Sequence, residues 1–336
     1  VTQPGEAGGP VGTGVAVRPA VPGDEPAVLA LLAAAMDRDA DERFARLFRW
    51  KHHDSAFGPS PAWVAEVDGE VAGYRALLRW EFDSAAGPQR AVRAVDTATH
   101  PDHQGKGIFR TLTLHALAEM AADGVAFVFN TPNDNSRPGY LKMGWEPVGT
   151  LRPMMRPAGP LRIPAIVRGR VPASHWGEPT EAGTTAAEAF ADDAATAELL
   201  DAAVDDGDGR LRTRRSPAYL RWRYDADLLG YRVLPLGHDL REGAACFRLR
   251  RRGTAVEATI GDLLVPGGSP TAERRLVRAV LRSTGADYAL VLDRSWRSGL
   301  LPVPGQGPTL VWRQLHGGHA PPLERWALTM GDIELF

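Results

Sequence analysis

Cysteine is almost absent: Cys246 is the only one in 336 residues. A single cysteine excludes an internal disulfide and a cysteine-based metal site, and in a strand-like run it reads as a small core residue. Lysine is scarce too. Lys51, Lys106 and Lys142 are the only lysines among 39 basic residues, which with abundant alanine, glycine and proline reads as GC-rich coding rather than chemistry. Charge of one sign is not in excess, since the net is −2. A nucleic-acid binder needs a basic face, and nothing in this balance supplies one. No apolar run approaches a membrane span, and the stretch from Val1 to Gly14 lacks the charged and apolar regions of a signal peptide. The expectation is a soluble cytoplasmic protein, monomer or homodimer, with neither nucleic acid nor membrane as partner.

What is present is enough for two cores: 44% hydrophobic and 24% charged residues, at a length comfortable for two domains. Residues 1–13, rich in glycine and proline, read as a disordered lead-in. A short strand at 14–19 precedes two helices, the first with Asp24 as N-cap and the second over 41–52. Strands follow at 62–67 and 71–82, joined by Asp68-Gly69, a strong hairpin signal. A strand over 90–99 leads to a helix with Ile108, Leu112, Leu117 and Met120 at helical spacing, ended by Gly124. A buried strand at 125–130, a short helix at 135–143 and a last strand from Trp145 complete the first half.

The most informative stretch runs from Val95 to Arg110: strand, then Gly105-Lys106-Gly107, then the first turn of a helix. Amides at a helix N-terminus are unpaired and carry the positive end of the dipole, and glycines let an anion approach the backbone. The spacing is neither Gly-x-Gly-x-x-Gly nor a P-loop. With His100-Pro101 before the glycines and an amphipathic helix after them, the stretch resembles the acyl-CoA pyrophosphate loop of the GNAT superfamily of N-acyltransferases. Asp102 departs from the Gln or Arg frequent there, while Gln104 and Lys106 supply polar groups nearby.

A second signature lies at Asn133, Ser136, Tyr140, Lys142, Gly144 and Trp145, similar to the family's Asn-x-x-Ala-x-x-x-Tyr-x-Lys-x-Gly-aromatic. Pro138-Gly139 within it departs from the common pattern. The resemblance implies an α/β fold of α+β type, a mixed and mostly antiparallel sheet flanked by helices, with acyl-CoA as cosubstrate and no metal. Cosubstrate contacts would come from Thr97, Thr99, Gln104, Gly105, Lys106, Gly107, Ile108, Asn133 and Ser136, the two threonines through backbone groups along an open strand edge. Tyr140 would protonate the departing thiolate after direct attack by a neutral amine. For the base, Asp96 and His53 are the leading candidates; Glu81, His52, Asp54 and a water chain are alternatives.

Residues 158–182 read as a linker, and Ala186 to Val204 as a helix. Beyond them the chain echoes itself: Leu220 to Asp225 resembles Phe48 to His53, and Ser283 to Val291 resembles Ala122 to Phe129. Strands at 231–236, 244–251, 255–265 and 287–292 with a helix at 271–283 repeat the earlier order, which argues for a second copy of the fold. Where its phosphate loop should sit stands Val265-Pro266-Gly267-Gly268-Ser269-Pro270, without Gly-x-Gly. The expected division is therefore a catalytic domain at 14–157 and a degenerate copy at 183–336 that shapes the acceptor site. The tail from Trp326 is too apolar to hang free.

The function expected is acyl transfer from acyl-CoA to a primary amine of a small molecule. An amino sugar of an antibiotic-like secondary metabolite is one candidate; aminoglycosides or a peptide amine are the alternatives. A tRNA-dependent aminoacyl transferase and a non-catalytic acyl-CoA-binding regulatory module are competing classes. The present CoA loop argues against the former and Tyr140 against the latter.

Overall fold

The computed structural model describes residues 14–169, 171–203, 209–292, 299–303 and 307–334. The lead-in at 1–13 lies outside them. The first half contains β1 (Val15–Pro19), α1 (Glu25–Ala35), α2 (Glu42–His52), β2 (Ala62–Val67), β3 (Glu70–Asp83), β4 (Gln89–Thr99), α3 (Ile108–Ala122), β5 (Phe127–Asn130), α4 (Arg137–Lys142), β6 (Glu146–Thr150) and β7 (Pro153–Pro157). The expected elements are all there. Asp68 and Gly69 both take positive φ, 52° and 85°, as the β2–β3 hairpin requires. Asp41 caps α2 by accepting from the Phe44 amide at 2.8 Å. Asp24 stands at the N-cap of α1 but turns its carboxylate to Arg18 and the Val21 amide instead.

The rest comprises α5 (Ile163–Arg168), α6 (Ala186–Ala189), α7 (Asp193–Ala203), β8 (Arg212–Thr213), α8 (Pro217–Tyr224), β9 (Arg232–Pro235), β10 (Ala244–Arg252), β11 (Ala255–Leu264), α9 (Pro270–Thr284), β12 (Tyr288–Leu292), β13 (Leu301–Pro302), β14 (Thr309–Gln314) and α10 (Met330–Ile333). Two expectations are corrected here. The single helix over 186–204 is broken at Phe190, which is fully buried, and Asp192 restarts it by accepting from the Ala195 amide; Val204 lies outside the described residues. The linker also carries helix α5.

Two sheets form, and they repeat each other. In the first, β2–β3 and β3–β4 are antiparallel and β4–β5 is parallel across α3. In the second, β9–β10 and β10–β11 are antiparallel and β11–β12 is parallel across α9. The copies then trade strands. Sheet one continues β5-β14-β6 and sheet two continues β12-β7-β13, so the expected boundary at 157 is crossed in both directions. The chain leaves β6 at the buried Leu151 and enters the other sheet as β7, and β14 returns the exchange.

The echoed tryptophans meet at the same junction. Trp50 and Trp222 stack at 5.3 Å, and each indole N–H donates to the other residue's carbonyl, at 2.8 and 2.9 Å. Reciprocal contacts of this kind mark a pseudo-two-fold relation between the halves. The tail lies across this junction. Asp332 is fully buried against Arg215, while Arg93 and Arg223 donate to tail carbonyls. Leu335 and Phe336 lie outside the described residues. Among the described residues no helix is long and apolar enough to cross a membrane.

Candidate active site

Strand β4 opens the site. It pairs with β5 only from Ala91 to Arg93, whereas against β3 it runs on to Thr99. Past Arg93 the two parallel strands splay, and along Thr97 and Thr99 the β5-facing edge of β4 has no strand partner among the described residues. The Thr97 hydroxyl donates inward to the Tyr74 carbonyl at 3.1 Å, which leaves the backbone of this stretch as its outward chemistry.

After β4 the chain turns through Gly105 and Gly107, with φ of 76° and 80°, a region that costs a side-chain-bearing residue about 1–2 kcal/mol. A Cβ on either would meet nothing within 4 Å, so the turn presents bare backbone to solvent. Gly107 is the N-cap of α3 and offers no capping side chain, which leaves the first amides of a 15-residue helix for an external acceptor. Gln104 and Lys106 are exposed beside it, and the Lys106 ammonium rests 3.2 Å from His103 Nδ1. The Ile108 side chain points the other way, into the core against Gly73, so only its amide is available.

The second copy closes the same place. There Ser269 Oγ accepts from the Ala272 amide and Pro270 occupies the first turn of α9, removing one donor. That loop has Gly267 and Gly268 at positive φ but no open helix end.

Asn133 Oδ1 accepts from both the amide and the hydroxyl of Ser136, each at 2.9 Å, and this turn starts α4. Pro138 fits in the first turn of α4, so the departure from the family pattern does not break the helix. Tyr140 is thereby buried, its ring edge-on to Phe109 at 5.4 Å and Trp145 at 5.0 Å. Its hydroxyl accepts from Arg75 Nη1 at 2.7 Å. Arg75 is the register partner of Thr97, so the Tyr140 hydroxyl lies beneath the open stretch of β4.

Asp96 is the extra residue of a β-bulge, between Val95 and Thr97, with φ of 23°. The bulge turns its carboxylate to the α1/α2 face of the sheet, where Lys51 Nζ and His52 Nε2 bond it at 2.8 and 2.7 Å. Their side chains are 10%, 3% and 2% exposed respectively. Burial alone would raise the Asp96 pKa; the Lys51 charge and the His52 hydrogen bond prevail and hold it well below the ordinary range. Burial in turn lowers His52, which as neutral imidazole donates to Asp96 and accepts from the Ser60 hydroxyl at 3.0 Å. A carboxylate so strongly held as an anion is a weak base. His53 is 53% exposed and faces Glu25 at 3.8 Å. Asp96 is thus engaged by Lys51 and His52, and His53 faces Glu25, while the described hydrogen-bond partner of the Tyr140 hydroxyl is Arg75.

The α1/α2 face is also rich in cations. Arg38 lies against His175, with N–N distances of 3.0 and 3.3 Å, although a neutral imidazole can accept only one of those hydrogens. His175 is pushed down to about 3 by burial and by Arg38, Arg248, Lys51 and Arg250. Arg43 stacks on Trp176 at 3.9 Å.

Sequence reasoning missed Arg75. Its signal was an arginine inside the run Tyr74-Arg75-Ala76-Leu77-Leu78, where a buried strand leaves no room for a solvated charge. Among the described residues no group of three or more His, Cys, Asp or Glu could hold a metal ion.

Known proteins fit this geometry. Residues 16–148 match the family described as "Acetyltransferase (GNAT) domain". A GCN5-related N-acetyltransferase from Anabaena variabilis superposes with a TM-score of 0.64 at 16% identity, over 90% of this chain and 73% of that one. One from Kribbella flavida gives 0.62 at 14%, over 90% and 72%. A probable N-acyltransferase from Enterococcus faecalis gives 0.59 at 14%, over 90% and 73%. At such identities the superpositions carry the fold, and they carry it across both sheets. The glycine turn, the open end of α3 and the splayed β4 edge all lie within residues 16–148, the part of the chain that is similar to the GNAT acetyltransferase domain.

Proposed function

We propose that the protein is an acyl-CoA-dependent N-acyltransferase acting on a primary amine of a small molecule. The observation that carries this is the uncapped N-terminus of α3 directly behind Gly105 and Gly107. The pyrophosphate binds those amides, the pantetheine arm adds to the free edge of β4, and the thioester comes to rest near Tyr140. The amine attacks the carbonyl, Tyr140 protonates the thiolate, and water carries off the amine's surplus proton. Asp96 then has a supporting role, holding Lys51 and His52 in place. A mass-spectrometric screen of acyl-CoAs from two to twelve carbons against amine-bearing metabolites tests the reading; no acylated amine from any pairing would overturn it.

One CoA should bind per chain, since only the first copy has an open helix end. In calorimetry Gly107→Val should weaken CoA at least about tenfold, because it forces a branched residue into positive φ and fills the anion's approach. The fold should remain, as nothing packs on that position. A stoichiometry of two would show that the second copy has been misread.

The charges on the α1/α2 face favour a second reading of the acceptor. Arg38 and Lys51 act on His175 from this face and Arg248 and Arg250 from β10; Lys51 is bonded to Asp96, Arg248 and Arg250 to Glu334 and Arg250 also to Glu257, while Arg38 lies against the His175 ring itself. Such a face suits an amine that also bears an anionic group better than a polycationic aminoglycoside. An amino acid should be acetylated faster than its uncharged amide analogue, and Arg38→Ala should reduce that preference. Equal kcat/KM for the two would remove the anion from the specificity.

A further inference from the structure

Arg75 is fully buried, and its guanidinium makes one hydrogen bond, from Nη1 to the Tyr140 hydroxyl. Nε and Nη2 are buried without hydrogen-bond partners. No carboxylate among the described residues pairs with it. Instead the guanidinium lies against aromatic rings, 5.4 Å from the centroid of Tyr140 and 6.0 Å from that of Phe109. A buried cation with no counter-anion is costly to keep, and a strand interior offers many cheaper residues for the same volume. Its position calls for a chemical reason.

Direction supplies one. A guanidinium donates and never accepts, so the tyrosine oxygen must be the acceptor in this bond. The hydroxyl hydrogen of Tyr140 is thereby turned away from Arg75 and left for another acceptor. Resting on the reading of Tyr140 as the acid, we propose that Arg75 is its positioning residue, aiming the hydroxyl proton at the thioester sulfur and supplying positive charge to the phenolate oxygen left behind.

The step balances without any further reactant. The amine nitrogen bonds to the carbonyl carbon, the carbon–sulfur bond breaks, and its electron pair goes to sulfur. The Tyr140 proton follows it, giving free CoA thiol. The Tyr140 oxygen is then an anion, and the Arg75 N–H···O bond, neutral at the acceptor before the step, becomes charge-assisted at both ends. An ionised donor holds an anionic oxygen more strongly than the neutral hydroxyl it replaces. The gain arises only as the proton leaves, so it lowers the barrier rather than improving ground-state binding. The proton released from the new amide nitrogen returns to Tyr140 through water.

The test uses the full chain with acetyl-CoA and hydroxylamine, a small amine that is neutral at pH 7 and needs no acceptor pocket. Release of CoA thiol is followed for the wild type, Arg75→Met, Arg75→Lys, Tyr140→Phe and the double variant Arg75→Met with Tyr140→Phe. Arg75→Met should lower kcat by up to about 100-fold, the loss expected for the acid it acts through, with KM for acetyl-CoA within about twofold. Arg75→Lys should restore part of the rate. In the Tyr140→Phe background, removing Arg75 should cost no more than about twofold further, because the two act as one unit.

Wild-type turnover in Arg75→Met would overturn the proposal. So would an equal loss in both backgrounds, which marks a packing role independent of Tyr140. A Tyr140→Phe enzyme at wild-type rate is a different failure: it removes the acid itself, and Arg75's role with it. Should Arg75→Met not fold, Arg75→Lys is compared in the two backgrounds under the same criteria.

Discussion

Tyr140→Phe should lower kcat about 100-fold, the low end for loss of a positioned general acid, while KM for acetyl-CoA changes by no more than about twofold. The low end applies because a thiolate is a tolerable leaving group even without help. The ring stays, so the edge contacts with Phe109 and Trp145 stay with it. Stability will not be untouched, however. The lost oxygen is the single hydrogen-bond partner of a buried guanidinium, and a buried donor left unsatisfied costs about 1–3 kcal/mol. A melting temperature lower by several degrees is thus expected whether Tyr140 is an acid or merely a packing residue. Turnover is what separates them. A Tyr140→Phe protein that melts early but turns over normally would leave water as the proton donor.

How far the sequence alone reaches can be read from particular residues. The glycine turn was legible because positive φ, an anion's approach and a helix start all demand the same residue types at Gly105 and Gly107. The β2–β3 hairpin was legible for a similar reason at Asp68-Gly69. Each is a local constraint, satisfied within a few neighbours. The exchange of β7 and β14 was not legible, because alternation marks a strand but says nothing about which sheet will receive it. Phe127 and Asn130 find Gln314 and Val311 across most of the chain's length. Trp50 and Trp222 were visible as an echo, yet nothing in an echo announces that the two copies stack on each other. Arg75 illustrates the remaining gap. A motif can locate Tyr140, but the residue that orients its hydroxyl comes from a neighbouring strand through pairing register. Asp96 was noticed as a candidate base from its place on the strand, but its environment was not legible, because its neighbours Lys51 and His52 sit on another element.

Asp96→Asn should cost about 3–5 kcal/mol, the range for removing one partner of a buried ion pair, and lower the melting temperature by on the order of 5–10 °C. Asparagine is the informative replacement. It tolerates positive φ as aspartate does, so the bulge at φ 23° is kept and only the charge is lost. What goes is the carboxylate that Lys51 and His52 both bond, inside a site where their side chains are 3% and 2% exposed. The dependence on pH checks the cause. The native carboxyl is held well below its unfolded value near 4, so its contribution is complete above that value and is lost as pH falls through the carboxylate range. His52, lowered by burial, also favours folding above its unfolded value near 6.5; Asp96 offsets part of that lowering, so in Asp96→Asn this contribution is lost over a wider span of acidification. Wild type should therefore lead Asp96→Asn by a constant margin above about pH 7, and the carboxylate's part of that lead should shrink progressively as pH falls below about 4. A margin that stays the same down to pH 3 would mean that packing, not charge, is what Asp96 contributes. If kcat in Asp96→Asn also drops by about 10²–10⁴-fold with KM for acetyl-CoA unchanged, at temperatures where the protein is folded, the carboxylate is the base after all, since that is the loss expected for removing a general acid or base.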